Sequence, residues 1–213
     1  MTPQLARFFS IIFHPILMPL YSFFVIVFSF PYLYINVPTK IWNLSIGLLL
    51  FMTCIFPSIM VLVLKKLQIV DDLDISVRKQ RILPYMLFLL FYLMSFLMFK
   101  PKEVVSLIYI QDYLIATVLL GATISIIISF FLNNFLKVSI HTTAAANLFA
   151  FCALIGKVSS KNLFSLILLT FLILGLVGAS RIYLKAHTTK EVIVGIISGV
   201  IGQTLAFIFY YSS

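Results

Sequence analysis

The chain has 213 residues, of which 62% are hydrophobic and only 10% are charged, and its formal net charge is +9 at pH 7. A soluble globular domain is about half apolar and about a quarter charged, so this composition excludes a soluble protein and predicts an integral membrane protein. In such a chain we expect the excess of Lys and Arg to serve lipid headgroups and topology, with no nucleic-acid partner.

Seven apolar segments follow one another along the chain. We expect them to be helices, because lipid offers no water to satisfy backbone polar groups. A span needs roughly 20 apolar residues, so we predict an all-α, polytopic membrane bundle of six to seven transmembrane helices that forms a single domain, 1–213. The segments are 8–34, 41–64, 84–99, 113–135, 142–155, 163–183 and 192–211.

Prolines and small residues refine this prediction. The first segment is expected to be kinked or broken, because it contains His14–Pro15, Pro19 and Pro31. The third and fifth segments are short for a span. Small residues predict close packing between helices near the C-terminus. These are Ala144, Ala145, Ala146, Gly195, Ser198, Gly199 and Gly202.

Polar residues collect in three connections, 65–81, 137–141 and 180–191. Two spans separate each connection from the next, so an even number of crossings places all three at one face of the membrane. With a cytoplasmic N-terminus that face carries ten Lys and Arg residues against five. If four of the ten are kept for chemistry, the positive-inside rule no longer distinguishes the two sides.

The third connection contains a histidine and a carboxylate at helical spacing. His187 and Glu191 are four residues apart and therefore share one face of a helix. A carboxylate bonded to one imidazole nitrogen leaves the other nitrogen as a nucleophile or base. The guanidinium of Arg181 matches phosphate oxygens, and Ser180 adds a hydroxyl. Taken one by one, these residues also fit an interfacial histidine and an arginine that extends to the headgroups.

The other two connections supply further groups of the same kind. His141 begins an apolar helix, where backbone N–H groups favour an anion, and a second histidine provides an acid for a leaving group. Lys137 and Ser139 accompany it, although a serine here also fits an N-cap. Arg78 and Arg81 are three residues apart, so both can point the same way. The combined set suits a phosphate group.

The third connection resembles a known signature. Ser180, Arg181, His187 and Glu191 read S-R-x5-H-x3-E, which is similar to S-R-x5-H-x3-D, the third signature of the type 2 phosphatidic acid phosphatases. Glu replaces Asp, which gives a longer arm for the same hydrogen bond.

The family's other two signatures are matched less closely, but in the right order. Val138-Ser139-Ile140-His141 resembles P-S-G-H, with Ile140 in place of the glycine. The first signature, K-x6-R-P, is the weakest match. Its arginine corresponds to Arg78 or Arg81, and no lysine lies seven residues before either. The signature-bearing core covers about 65–211.

The resemblance implies a helical membrane phosphatase that works without metal or other cofactor. It implies that His187 attacks phosphorus to form a phosphohistidine and that Glu191 orients the His187 imidazole. His141 would protonate the leaving group and then activate water. The residues implied to hold the phosphate are Arg181, Ser139, Ser180, Arg78, Arg81 and Lys137.

We therefore predict a lipid phosphatase of the bilayer that hydrolyses a phosphate or diphosphate monoester of a lipid. Polyprenyl diphosphate is the first expectation, because many small bacterial relatives act on it. Phosphatidic acid, phosphatidylglycerophosphate and lipid A phosphate also fit. The expected location is the bacterial inner membrane.

Several alternatives stay open from the sequence. One is a lipid phosphotransferase with the same intermediate, and another is a non-catalytic lipid-phosphate-binding protein or transporter. A transporter predicts ionisable residues within the spans, where His14 stands nearly alone. Metal sites are a third class. They would use Mg²⁺ at Asp71, Asp72 and Asp74, or Zn²⁺ at His141, His187 and Glu191.

Overall fold

The computed structural model describes residues 1–100 and 109–211, with side chains from Tyr113 onward in the second range. Within these ranges the chain forms α-helices joined by short turns, and no strand is present, which confirms the all-α prediction. The α-helices are α1 Pro3–Ile12, α2 Met18–Ser29, α3 Thr39–Leu50, α4 Phe56–Lys66, α5 Ile82–Phe99, α6 Tyr109–Leu132, α7 Ile140–Val158, α8 Phe164–Tyr183 and α9 Thr189–Tyr211.

Six helical segments in the described residues are long and apolar enough to cross a membrane. The prediction of a polytopic bundle is therefore confirmed, and the chain is an integral membrane protein. The six segments are Pro3–Ser29, Thr39–Lys66, Arg78–Phe99, Tyr113–Leu132, Phe164–Tyr183 and Thr189–Tyr211. The predicted fifth segment corresponds to α7, which lies outside this set and buries most of its residues against its neighbours.

The first segment is broken at His14, as its prolines predicted. Helix α1 ends at Ile12, and His14 is extended with a ψ of 139°. Pro15 causes this break, because it has no N–H for the helix and disfavours helical backbone in the residue before it. A short 3₁₀ turn, Pro15–Leu17, then leads into α2. The break allows α1 to pack on α8 while α2 enters the bundle.

The second segment is irregular for a related reason. Pro57 has no N–H to donate to the carbonyl four residues earlier. A π-helical turn, Phe51–Ile55, ends two residues before the proline and joins α3 to α4. Such single π turns are a common source of helix bends.

Glycines of α9 bring this helix against α7 at very short range. A Cβ at Gly195 would lie 2.6 Å from the Ser139 carbonyl oxygen, and one at Gly199 would overlap the Thr143 carbonyl oxygen. The predicted close packing of these glycines is confirmed. As a consequence, the Ser139 N–H donates a hydrogen bond to the Glu191 carbonyl at 3.3 Å, which joins the second and third polar connections.

All three polar connections meet at one end of the bundle. Arg81 Nη1 donates a 2.8 Å hydrogen bond to the Val138 carbonyl, and Lys137 Nζ donates a 3.0 Å bond to the Ala186 carbonyl. The first connection is thus tied to the second, and the second to the third. The sequence predicted this arrangement by counting the fifth segment as a crossing. Helix α7 takes that place between the second and third connections, although it is not among the six candidate spans.

Candidate active site

A cavity of about 350 Å³ opens where the three connections meet. Its lining continues into the bundle as far as Tyr92 and Val118, near the middle of α5 and α6. The cavity therefore joins a charged end to an apolar interior. The histidine and charged residues in its lining are His14, Asp74, Arg81, His141, Arg181 and His187.

One ring nitrogen of His187 faces two hydrogen-bond acceptors. Its Nδ1 lies 3.2 Å from the Lys137 carbonyl oxygen and 3.4 Å from Glu191 Oε2. Since neither oxygen can donate, Nδ1 carries the hydrogen and the lone pair of the neutral ring is on Nε2. This is the tautomer that a nucleophilic histidine requires.

Electrostatics favour the neutral, unprotonated form of the His187 ring. Burial lowers the pKa of its imidazole to about 4, and the cations of Arg81, Arg181 and Lys137 act in the same direction. Glu191 opposes this shift but does not cancel it. At neutral pH the ring is therefore uncharged.

Glu191 is held in place by the start of α9. Its Oε2 accepts a 2.9 Å hydrogen bond from the Thr188 N–H, and the Thr188 hydroxyl oxygen accepts one from the Glu191 N–H at 3.4 Å. This reciprocal pair is a capping box, which the spacing T-x-x-E signals. The local helix start thus positions the carboxylate that faces His187.

His141 lies buried in the first turn of α7. Its ring packs edge-to-face against His14, with the two centroids 5.0 Å apart, and it also contacts the backbone of Ser10. Both neighbours belong to the N-terminal segment. His141 and His187 line the same cavity, and the catalytic roles that the resemblance implies for them stay a prediction.

Arg181 is buried and incompletely satisfied. Its Nη2 lies 3.7 Å from Asp74 Oδ1, whereas its Nε has no hydrogen-bond partner. A buried donor without a partner costs about 1–3 kcal/mol. An anion in the cavity would relieve this cost, which is the behaviour expected of a phosphate-binding arginine.

Arg81 is the second buried arginine of the cavity. Its Nε donates to the Ile75 carbonyl and its Nη1 to the Val138 carbonyl, both at 2.8 Å. These two carbonyls hold the guanidinium rigidly at the charged end of the cavity. Arg81, rather than Arg78, is therefore the arginine that the first connection contributes to the lining.

Ser139 and Lys137 lie beside this site. Ser139 is fully buried at the start of α7, yet its hydroxyl makes no capping bond and has no partner. Its neighbours Ile140 and His141 line the cavity, while Ser139 itself does not. Burial, followed by the charge of Arg81, lowers the pKa of the Lys137 amine.

Two residues predicted to bind phosphate point elsewhere. The Ser180 hydroxyl donates to the Leu176 carbonyl of its own helix at 2.6 Å. Consecutive helical residues differ in direction by about 100°, and Ser180 does not line the cavity that Arg181 lines. Arg78 is exposed, and its Nη1 donates to the Phe135 carbonyl at 2.9 Å.

Two lining residues had no predicted place in this site. In the sequence, His14 stands out only as an ionisable residue within an apolar segment, which is itself a signal of function. The sequence places Asp74 with Asp71 and Asp72 as possible magnesium ligands, whereas in the structure its carboxylate pairs with Arg181. In the described residues, no three His, Cys, Asp or Glu side chains come together in a way that could hold a metal ion.

The comparison with protein families agrees with this geometry. Residues 129–213 match the sequence model of the PAP2 superfamily. The matched part covers less than half of the chain, contains Ser139, His141, Arg181, His187 and Glu191, and supports membership in the type 2 phosphatidic acid phosphatase superfamily. Proteins of that superfamily are generally phosphatases of phosphate esters, often those of lipids. No curated protein and no solved structure matches the chain.

Proposed function

We propose that this protein is a membrane lipid phosphatase that hydrolyses a phosphate or diphosphate monoester through a phosphohistidine on His187. One observation carries the proposal: the Nδ1 of His187 faces two acceptors, the Lys137 carbonyl and the Glu191 carboxylate. The ring thereby keeps a free Nε2 lone pair in a cavity that also contains Arg181 and His141.

In the first step Nε2 of His187 attacks phosphorus, and the bond between phosphorus and the leaving oxygen breaks. Burial and the charge of Arg181 lower the pKa of His141 in the free protein, so we propose that the ring takes up its proton together with the anionic phosphate. It then gives this proton to the leaving oxygen. Arg181 and Arg81 stabilise the charge on the other phosphate oxygens, since phosphoryl transfer depends mainly on positioning and charge. Ser139 and Lys137 do not line the cavity themselves, and we propose for them at most a supporting role beside it.

In the second step neutral His141 removes a proton from water, and the water oxygen attacks the phosphohistidine. The N–P bond breaks, inorganic phosphate leaves, and His187 returns to its neutral state. His141 again holds a proton and is ready for the next cycle. Both histidines thus return to their starting states. The net reaction is the hydrolysis of one phosphate ester bond, which consumes one molecule of water.

The shape of the cavity supports a lipid as the substrate. Its charged end lies among the connections, and its apolar walls reach the middle of α5 and α6. A phosphate at the charged end would leave room for the attached chain between the helices. Polyprenyl diphosphate is the first candidate, on family analogy, followed by phosphatidic acid, phosphatidylglycerophosphate and lipid A phosphate. The proposed location is the bacterial inner membrane.

The test is release of inorganic phosphate by the purified protein from these four lipids, with EDTA present. We expect release from at least one lipid and none from H187A. Activity that disappears with EDTA would contradict the metal-independent mechanism. Full activity in H187A would contradict the role of His187.

A further inference from the structure

The chain has three histidines in 213 residues, and all three line the same cavity. His141 and His187 have roles in the proposed reaction, whereas His14 has none. His14 comes from the N-terminal segment, outside the residues 129–213 that match the PAP2 superfamily. Its arrival at this cavity therefore needs an explanation of its own.

The ring of His14 packs directly against the ring of His141. The two rings meet edge-to-face with an interplanar angle of 83° and centroids 5.0 Å apart. The broken helix places His14 there, because the chain leaves α1 and turns at Pro15 beside the start of α7. Ser10 of α1 also contacts His141. The N-terminal segment thus supplies two contacts to this ring.

The hydrogen bonding of His14 defines its tautomer. Its Nδ1 accepts a 3.4 Å hydrogen bond from the Ile16 N–H, so Nδ1 is unprotonated and the neutral ring carries its hydrogen on Nε2. This bond caps the 3₁₀ turn Pro15–Leu17. Asn, Asp or Ser caps such a turn equally well. Capping therefore explains a polar residue at position 14 but not an imidazole packed on His141.

We propose that His14 is a positioning residue for His141, so that the N-terminal segment completes the active site. The edge-to-face contact restricts rotation of the His141 ring and keeps its acidic nitrogen directed at the leaving oxygen. This inference rests on the proposed function. It goes further by assigning a role to a segment outside the family match.

The proposal predicts a dependence on the leaving group. A misplaced His141 protonates the leaving oxygen poorly, which slows cleavage of an alkyl phosphate such as a lipid phosphate. An aryl phosphate such as p-nitrophenyl phosphate needs little protonation, because its phenolate leaves readily. General structural damage would slow both reactions equally. The ratio of the two rates therefore separates positioning from folding.

The test variant is H14N, whose side-chain oxygen can still cap the turn while the ring is lost. The rate of phosphohistidine formation is measured in single turnovers with the lipid phosphate and with p-nitrophenyl phosphate. We expect at least about a tenfold loss with the lipid, below the roughly 10²–10⁴-fold loss for removal of the acid itself in H141A. We expect little change with p-nitrophenyl phosphate and in KM.

Equal rates in H14N and wild type, or equal losses with both substrates, would overturn the proposed role of His14 and leave the proposed function of the protein untouched. If size-exclusion chromatography in detergent shows that H14N is not folded, we measure H14Q instead. This variant keeps a polar amide near the Nε2 position. A wild-type protein that releases phosphate from neither substrate would overturn the proposed function, and the role of His14 with it.

Discussion

The Nδ1 atom of His187 lies 3.2 Å from the carbonyl oxygen of Lys137, fifty residues earlier in the chain. The second polar connection therefore fixes the tautomer of the histidine in the third. Glu191, only four residues away, is a second acceptor for the same nitrogen at 3.4 Å. Two acceptors for one hydrogen imply that His187 keeps its tautomer even when one of them is weakened.

This redundancy predicts the effect of replacing Glu191. E191Q keeps the capping box, because Gln serves at this position as well as Glu, but it removes the charge beside His187. We expect thermal stability close to that of wild type and a loss of kcat well below the roughly 10⁴-fold that follows loss of the orienting carboxylate in a Ser-His-Asp triad.

E191A is the matched variant, because it removes both functions of Glu191. It loses the hydrogen bond that the carboxylate accepts from the Thr188 N–H, which should cost about 0.5–1.5 kcal/mol and is detected by a thermal unfolding curve in detergent. A 10⁴-fold loss of kcat in E191Q would show that the Lys137 carbonyl does not hold the tautomer.

The unsatisfied Nε of Arg181 predicts that a positive charge alone is insufficient at this position. R181K keeps the charge and removes the planar fork. A hydrogen bond to a charged group contributes about 1.5–3 kcal/mol, and about 1.4 kcal/mol is a factor of ten. We therefore expect kcat/KM to fall at least about tenfold.

The control for R181K is R7K, the same substitution at an exposed arginine of α1. Steady-state kinetics on the preferred lipid should leave R7K within error of wild type. An R181K variant with wild-type kcat/KM would argue against a phosphate clamp at Arg181.

The lowered pKa of His187 predicts the acid side of the pH profile. A nucleophile must be unprotonated, so activity is lost as the pH falls through its pKa in the free enzyme. Because that pKa is lowered to about 4, kcat/KM should persist well below the ordinary histidine value of about 6.5. An acid limb at 6.5 in a profile of kcat/KM against pH would contradict the electrostatic description of the site.

The glycines of α9 predict where the bundle is intolerant of a methyl group. G195A would place its Cβ 2.6 Å from the backbone carbonyl of Ser139, and overpacking of this kind costs about 1–3 kcal/mol. G175A in α8 is the matched control, since a Cβ there meets no atom within 4 Å. We expect a lower midpoint of thermal unfolding for G195A only. Equal midpoints would mean that α7 and α9 are less tightly packed than described.

The fold was largely predictable because two simple rules determine it. Apolar length predicted the spans, and the even number of crossings between polar connections predicted that Arg81, Lys137 and His187 meet. The break at His14 followed from Pro15. The position of α1 on α8 was not predictable, because the apolar pattern of a helix does not identify its partner.

The site was predictable where a motif spans it. S-R-x5-H-x3-E located Arg181, His187 and Glu191, but spacing alone did not show that the hydroxyl of Ser180 bonds within its own helix. Asp74 and His14 were not assigned because no local pattern links either to the site. They reach it only through a tertiary contact, Asp74 with Arg181 and His14 with His141.

The central claim is that His187 becomes phosphorylated during turnover. The most direct measurement is to let the enzyme react with a ³²P-labelled lipid phosphate and to stop the reaction without acid, so that a phosphohistidine is preserved. The peptides of the enzyme are then analysed by mass spectrometry. We predict a phosphate on the imidazole of His187, absent in H187A and formed more slowly in H141A. An active enzyme that carries no phosphate, or carries it on a residue other than His187, would contradict the mechanism.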